Sequence, residues 1–216
     1  MTGQPAAVLI ASLVTVACGP QPPSSVGPAS APEAGPADQL GPKFLALAEG
    51  LERQLLKVEA MQAYDEPDDP AYQAHRAGDA IKAEELVRAR VRSQRDVYVD
   101  FARRGIHFVR LRIIPEGDQS YISYEWSAYE EAVKLGEVIL VAKEQDLPED
   151  VRAELRDALI FDETAALVHH YDDSGRLEGF HVDRNPEAVA RRREVFWSAA
   201  QAALPFGYAE ELLHGQ

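Results

Sequence analysis

The stretch that decides the fold runs from Ala158 to Asn185 and has the sequence ALIFDETAALVHHYDDSGRLEGFHVDRN. Its apolar runs ALIFD and TAALVHHYD predict two consecutive strands, and the Asp-Ser-Gly turn at 173–175 predicts a hairpin to a third strand, RLEGFHVD. A helix opened by Asn185 and Pro186 follows directly and is expected to run to Ala203. Three successive strands and a helix indicate an α+β fold, in which a mostly antiparallel sheet is flanked by helices.

Upstream helices are expected to cover this sheet. The segment 43–61 begins with apolar residues at helical spacing and becomes extended in LLKVEAMQAY. The segment 84–104 has one apolar face and ends before Gly105, which predicts a single amphipathic helix. A capping box at Ser127 predicts a short helix to Gly136, and another short helix is expected in EDVRAELRD.

Three further strands are predicted in the middle of the chain. The segment HFVRLRII at 107–114 alternates strictly, which is typical of a strand with two different faces. The turn PEGDQ leads into SYISYEW at 120–126, and together the two segments predict an antiparallel hairpin. The continuous apolar run EVILVA at 137–142 suits a strand that is covered on both faces.

The composition is that of a globular protein with a strong negative charge. Acidic residues number 36 against 22 basic ones, which gives a formal net charge of −14 over 216 residues. A polyanion such as DNA is repelled by this balance, so we expect no direct binding of nucleic acid. The single cysteine, Cys18, excludes an intrachain disulfide framework.

The first 42 residues differ in composition from the rest of the chain. An apolar run at 5–17 precedes Cys18, and a disordered tether rich in Pro, Ala, Gly and Ser is expected after it. This order resembles a lipoprotein, in which a lipid on Cys18 anchors the protein to a membrane surface. The absence of Lys and Arg before the apolar run fits the alternative, a disordered extension of a cytoplasmic protein, and both interpretations stay open. The body is expected to be a single α+β domain at 43–205, with a tail at 206–216.

The sequence contains no motif that assigns a catalytic residue. Neither a G-x-S-x-G nucleophile elbow nor a glycine-rich phosphate-binding motif occurs. The candidate ligand-binding residues are polar side chains on or near the strand at 107–114, namely Arg110, Arg112, Tyr124, Glu125 and Asp162. They are expected to hold a small anionic or planar ligand. The alternative is a covered sheet face, on which the arginines pair with local carboxylates.

One cluster contains the residue types that bind metals, namely His169, His170, Asp172, Asp173 and His181. Successive residues of a strand point to opposite faces, so His169 and His170 cannot both bind one ion without distortion. Across the hairpin, His181 can approach only one of them. We therefore expect a solvated hairpin here, with no metal site and no cofactor.

The last helix offers a candidate interface. Phe196 belongs to its predicted core stripe, and Trp197 lies about 100° further round the helix. With Phe206 and Tyr208 beyond the helix end, Trp197 is expected to form an exposed aromatic patch of the kind that protein interfaces favour. The alternative is that the segment 44–61 folds over these rings and buries them.

The order of the segments VRLRII, SYISYEW, LIFDE, HHYDDSGRLEG and NPEAVARRREVFWSAAQAA resembles an uncharacterised bacterial family, domain-of-unknown-function family 6879, over residues 43–205. Members of this family often lie beside helix-turn-helix regulators. The resemblance implies a non-enzymatic sensing or interaction module that serves a regulatory protein partner or forms a homodimer. The alternatives are an enzyme that uses the face around Arg110, Glu125 and Asp162, and a surface lipoprotein that binds a small ligand.

A more distant likeness is architectural. A strand that ends in Phe161 and Asp162, followed by an apolar strand, a hairpin and a helix, is similar to half of a phospholipase-D-like domain. Active members of that superfamily carry the motif His-x-Lys-x-x-x-x-Asp. Leu155 and Asp157 take the His and Lys positions here, so the likeness implies a scaffold without phosphodiester chemistry.

Overall fold

The computed structural model describes residues 33–117, 119–210 and 212. The strands are β1 Glu33–Pro36, β2 Gln54–Glu59, β3 His107–Ile114, β4 Val138–Lys143, β5 Ala158–Phe161, β6 Ala165–Tyr171, β7 Leu177–Asp183 and β8 Leu204–Pro205. The helices are α1 Leu40–Glu49, α2 Pro70–Arg76, α3 Ala80–Arg92, α4 Arg95–Arg104, α5 Ser120–Lys134, α6 Glu149–Glu154 and α7 Pro186–Ala200. Short 3₁₀ turns lie at Ala37–Gln39, Glu144–Asp146 and Phe206–Tyr208.

The strands form one open mixed sheet in the order β1-β7-β6-β5-β2-β3-β4-β8. Strand β3 is parallel to its neighbours β2 and β4, and every other pair of neighbours is antiparallel. The predicted α+β fold with a mostly antiparallel sheet is therefore confirmed. In the decisive stretch, β5, β6 and β7 pair in sequence order, and the Asn185 side chain caps α7 by accepting bonds from the N–H groups of Glu187 and Ala188.

The predicted hairpin over 107–126 is wrong, because SYISYEW forms the first half of helix α5. Strand β3 is parallel to β4, and parallel neighbours need a long crossover connection, which α5 supplies. The helix also continues through Ser127, where the sequence predicted a helix start. Its buried side chains follow the helical period along the whole element: Tyr121, Ile122, Tyr124, Glu125, Ala128, Tyr129, Glu131 and Ala132.

The single helix predicted over 84–104 is divided into α3 and α4. The break lies at Ser93 and Gln94. Ser93 Oγ donates a hydrogen bond of 2.7 Å to the carbonyl oxygen of Arg90, a local bond that competes with the regular helical pattern. The break leaves Gln94 buried and facing the cavity described below.

Part of the predicted tether is folded. Glu33–Pro36 forms the edge strand β1, which pairs antiparallel with β7. The two strands approach closely at Gly35 and Gly179, where a Cβ on Gly179 would lie 2.6 Å from the Gly35 carbonyl oxygen. A Pro-, Ala- and Gly-rich segment can thus become a strand because β7 offers an unpaired edge. The predicted lipidation site Cys18 lies outside the described residues.

Helices cover both faces of the sheet. Alternate residues of each strand belong to different cores, so Leu55 of β2 lies in the core with residues of α1 and α4, and Leu56 lies in the core with residues of α6 and α7. Helices α2, α3 and α5 pack beside α1 and α4 on the first face, where residues of β3 and β4 extend the core. In the described part of the chain, no helix is long and apolar enough to span a membrane.

Candidate functional site

The main candidate site is a polar cavity of about 80 Å³ between the sheet and helices α3, α4 and α5. Five carboxylates, three cationic side chains and four tyrosines face it. Strand alternation places Lys57 and Glu59 of β2, Arg110 of β3 and His169 of β6 on this one face. Since roughly 10–15 Å³ of such space admits one water, the cavity has room for several waters or a small organic molecule.

Arg110 and Lys57 are held by carboxylates at the floor of the cavity. Arg110 donates from Nε to Glu137 Oε1 over 2.6 Å and from Nη1 to Glu59 Oε1 over 2.8 Å. Lys57 Nζ lies 2.7 Å from the same Glu59 oxygen. Burial alone would raise the pKa of Glu59, but Arg110 and Lys57 outweigh it and hold that pKa far below its usual range. Each of these two cations therefore already pairs with a carboxylate of the protein.

Arg90 of α3 occupies the centre of a second ionic group. Its guanidinium pairs with Asp69 and donates from Nη2 to Glu125 Oε1 over 3.2 Å. Glu66 lies in the same group and accepts a hydrogen bond of 3.2 Å from the Tyr121 hydroxyl. Burial, together with the carboxylates of Glu125 and Asp69, outweighs the attraction of Arg90 and raises the pKa of Glu66 to about 7. Glu66 is thus a carboxyl group whose charge changes near neutral pH.

Asp157 stands directly before β5 and lines the side of the cavity near β6. It accepts hydrogen bonds from the Tyr64 hydroxyl at 2.5 Å, the Tyr171 hydroxyl at 3.3 Å and the backbone N–H of Ala60 at 2.8 Å. Burial raises the pKa of Asp157 in spite of these bonds. The two tyrosines thereby fix their rings at the cavity wall.

Several buried polar atoms at the cavity have no partner among the residues that the structure describes. Both ring nitrogens of His169, the Nε2 of Gln94 and the Nε of Arg90 form no hydrogen bond with the described residues. Burial, reinforced by repulsion from Lys57, lowers the pKa of His169 to about 3, so its imidazole is neutral at pH 7. Buried polar groups are almost always hydrogen-bonded, so these atoms require water or a ligand in the cavity.

Replacing His169 with Phe should reduce the decrease in the free energy of unfolding that occurs as the pH falls. The unfolded chain binds a proton at this position near pH 6.5, whereas the folded protein does so only near pH 3. The folded protein is therefore stabilised by the neutral form of His169 above pH 6.5, and this contribution to the free energy of unfolding is lost as the pH falls towards 3. Between pH 7 and pH 4, urea unfolding should show the native protein losing about 3 kcal/mol more than His169→Phe. Equal losses in the two proteins would mean that His169 has the same pKa in the folded protein as in the unfolded chain.

The structure brings together only some of the predicted ligand-binding residues. Arg110 and Glu125 line the cavity. Arg112 is fully buried beside it and donates to the carbonyl oxygen of Glu59 over 3.1 Å. Tyr124 stacks on the ring of His75 at 4.6 Å between centroids. These four residues lie on β3 and on one face of α5. The predicted ligand-binding face of β3 is therefore covered by helices, and its two arginines bond to carboxylate and carbonyl groups of the protein.

Asp162 does not line the cavity. It follows β5, and its carboxylate accepts hydrogen bonds from the backbone N–H groups of Glu52, Arg53 and Gln54 at 2.7, 3.0 and 2.8 Å. Its φ of 48° lies in the left-handed region, which aspartate tolerates better than most residues. An enzymatic site that joins Arg110, Glu125 and Asp162 is therefore not assembled in this fold.

The three predicted interface residues lie in different places. Trp197 is 40% exposed on α7 and packs edge-on against Phe196 at 5.0 Å between ring centroids. Phe206 packs instead on Trp126 of α5, at 4.6 Å, on the other face of the sheet. Tyr208 is 76% exposed. A single aromatic patch does not form, because the chain crosses the sheet edge at β8 between the helix and Phe206.

The histidines of the hairpin separate as strand alternation predicts. His169 faces the cavity, whereas His170 and His181 stack on the other side, with Nε2 of His170 2.7 Å from Nδ1 of His181. Among the residues that the structure describes, no group of three or more His, Cys, Asp or Glu side chains is arranged to hold a metal ion.

Most of the cavity was missed from the sequence. Lys57, Glu59, Glu66 and Arg90 are charged residues in segments that looked like an ordinary strand, a loop and a solvated helix face. The alternation of Lys57 and Glu59 with apolar neighbours in LLKVEA was the one available signal. This alternation was not sufficient to predict a buried site, because it does not show that helices cover the charged side chains.

The fold and the cavity define the chain as an α+β domain with a polar cavity beneath its helices. A family model described as Domain of unknown function (DUF6879) matches residues 42–208. The chain belongs to this family, which confirms the resemblance drawn from its sequence. No curated protein matches the chain.

Proposed function

We propose that this domain is a sensor that binds a small organic cation, such as a protonated or quaternary amine, in the cavity beneath α3, α4 and α5. The observation that carries the proposal is a surplus of carboxylates, since five of them face the cavity against three cationic side chains. Each of those cations, Lys57, Arg90 and Arg110, already pairs with a carboxylate. A further positive charge is therefore the group that best complements the cavity.

Tyrosine rings are the second feature that favours an amine. The ring of Tyr64 lies 5.5 Å from that of Tyr171 and 5.7 Å from that of Tyr121, measured between centroids. Ammonium groups are attracted to the faces of aromatic rings, and groups of such rings recognise quaternary amines. Tyrosines beside Glu66 and Asp157, which accept hydrogen bonds from tyrosine hydroxyls and form no ion pair among the described residues, favour a compact cation over a phosphate or a carboxylate.

The unpartnered atoms suggest a second group on the ligand. A neutral imidazole offers one donor and one acceptor, and Gln94 Nε2 offers a donor. A hydroxyl or carbonyl group beside the amine would satisfy these atoms of His169 and Gln94. An amino alcohol is the simplest molecule that carries both features.

The phospholipase-D-like likeness supports binding without catalysis. In that comparison Asp157 takes the place of the motif lysine, and Asp157 lines the cavity. A carboxylate at this position repels a phosphate and attracts a cation.

We further propose that a regulatory protein detects whether the cavity is occupied. This rests on the resemblance to a family whose members often lie beside helix-turn-helix regulators. The net charge of −14 opposes direct contact with DNA, so a signal to a promoter would pass through a protein partner. Co-purification of the protein with a helix-turn-helix regulator expressed beside it should change in amount when choline is added, and an unchanged amount would count against this partner.

Choline, ethanolamine and putrescine should stabilise the protein in thermal unfolding, whereas acetate at the same concentration should not. A ligand at about 100 times its Kd adds about 2.7 kcal/mol, which for a domain of this size raises Tm by about 5–10 °C. Calorimetric titration then gives the affinity directly. If none of the three amines binds in the millimolar range, the cavity is not an amine site.

The ionisation of Glu66 provides the specific control. Glu66→Gln should weaken choline binding about tenfold or more, because it removes a charge that the ligand meets. Asp68→Asn, an exposed neighbour outside the cavity, should leave the affinity unchanged. Choline keeps its charge at every pH, so its affinity should rise as the pH increases through 7, where Glu66 ionises. A pH-independent affinity would place the amine elsewhere.

A further inference from the structure

A second cavity, of about 170 Å³, lies on the opposite face of the sheet between β2, β5 and helices α6 and α7. Its floor is apolar. The side chains that form the floor are Val58, Leu155, Ala158, Ile160, Val195 and Phe196. An apolar floor of this kind favours a hydrocarbon group over water.

The rim of this cavity is cationic. Arg156, Arg191 and Arg192 line it together with one carboxylate, Glu154. Arg191 neutralises that carboxylate with two hydrogen bonds of 3.0 and 2.5 Å, and it also pairs with Glu194 at 2.7 Å. The rim therefore keeps two positive charges that the ion pairs at its edge do not use.

Arg192 is the less satisfied of the two remaining arginines. It forms no ion pair within 4 Å among the residues that the structure describes, and its buried Nε has no hydrogen-bond partner there. Arg156 donates from Nη1 to the carbonyl oxygens of Leu155 and Ala153, at 2.5 and 3.1 Å, which leaves its other nitrogens available. A guanidinium fork matches a carboxylate in shape and charge.

We propose that this second cavity binds an amphipathic monoanion, a carboxylate on a short alkyl or aryl body. The carboxylate lies against Arg192 and Arg156, and the apolar body lies on Ile160 and Phe196. The positive rim stands out in a chain whose net charge is −14, so general electrostatics does not account for it. A phosphate fits less well, because its larger charge would have to approach the apolar floor.

Hexanoate is the probe, and calorimetric titration of the full chain measures its affinity. Arg192→Gln should weaken hexanoate binding about 10- to 100-fold, as expected for a hydrogen bond between charged groups. Hexanol, which keeps the alkyl body and lacks the charge, should bind more weakly than hexanoate and should not respond to Arg192→Gln. Arg152→Gln, an exposed arginine of α6 outside the cavity, is the matched control and should bind hexanoate like the native protein.

A variant that fills the second cavity tests hexanoate binding there without changing Arg192. Ala188 of α7 also lines the cavity, and Ala188→Leu should reduce the binding of both hexanoate and hexanol. Glu66 lies on the other face of the sheet, so Glu66→Gln should leave hexanoate binding unchanged. The hexanoate proposal and the amine proposal can therefore fail independently of each other. The proposal is overturned if native protein does not bind hexanoate at millimolar concentration, or if Arg192→Gln binds it equally well.

Discussion

Asp162→Ala is expected to lower the free energy of unfolding by about 3–5 kcal/mol, because it removes the acceptor of three backbone bonds at once. Oδ1 accepts from the N–H groups of Arg53 and Gln54, and Oδ2 accepts from that of Glu52. A hydrogen bond to a charged group contributes about 1.5–3 kcal/mol, and water replaces part of that at these partly buried groups. The loop that joins α1 to β2 would lose the three hydrogen bonds that tie its end to β5.

A series at this position separates the hydrogen bonds from the backbone conformation. Asp162→Asn keeps one oxygen acceptor and tolerates the φ of 48°, so it should cost less than Asp162→Ala. Asp162→Gly relieves the backbone but has no acceptor, and it should cost nearly as much as alanine. Urea unfolding gives the values from the midpoint and the slope. If glycine restores the stability, strain and not hydrogen bonding is the origin of the effect.

Phe196→Ala should also cost about 3–5 kcal/mol of unfolding free energy, the usual range for a buried phenylalanine. Its ring is 0% exposed on α7 and lies in the core that joins this helix to the sheet. Truncation of the ring would enlarge the cavity that already lies beside it, so the surrounding side chains would lose contacts that no other atoms replace.

Trp197→Ala is the matched control for Phe196→Ala, since it removes a larger ring from the next position of the same helix. Trp197 is 40% exposed, so its loss should cost less than the loss of the fully buried Phe196 ring. The two values are compared under the same urea conditions. A larger cost for Trp197→Ala than for Phe196→Ala would mean that α7 is rotated relative to the structure described above.

The parts of the fold that could be predicted are those whose signal is local. The strands and turn of 158–185 and the helix after Asn185 depend on periodicity, turn residues and a capping residue that lie within one short window. The extended end of 43–61 has the same kind of signal and forms β2. For these segments, packing in the tertiary structure agrees with the local preference.

The segment 120–126 shows where local reasoning fails. SYISYEW contains tyrosines and an isoleucine, which favour strands, and it follows a turn-like sequence. Whether it forms a strand or a helix depends on the neighbours of β3, and both neighbours are parallel strands. A crossover helix is then required, and the tyrosines become its buried face.

The candidate site shows the same limit. Arg110 and Glu125 were predicted as binding residues, and both line the cavity. Glu66, Asp157 and His169 reach the cavity from a loop, the start of β5 and the middle of β6, which no spacing in the sequence connects. Pairing of β2 with β5, and of β5 with β6, brings these segments together.

By itself, the sequence determined the α+β class, the three consecutive strands β5, β6 and β7, the helix after them and the net charge of −14, since each depends on composition or on short-range periodicity. Only the tertiary structure decided that β3 lies between parallel strands, that helices bury a group of charges on one face, and that arginines surround an apolar cavity on the other. The physical reason is that burial and charge pairing depend on residues far apart in the chain. Sequence patterns indicate the local conformational preference of each residue. The cavities depend instead on which helices cover each face of the sheet.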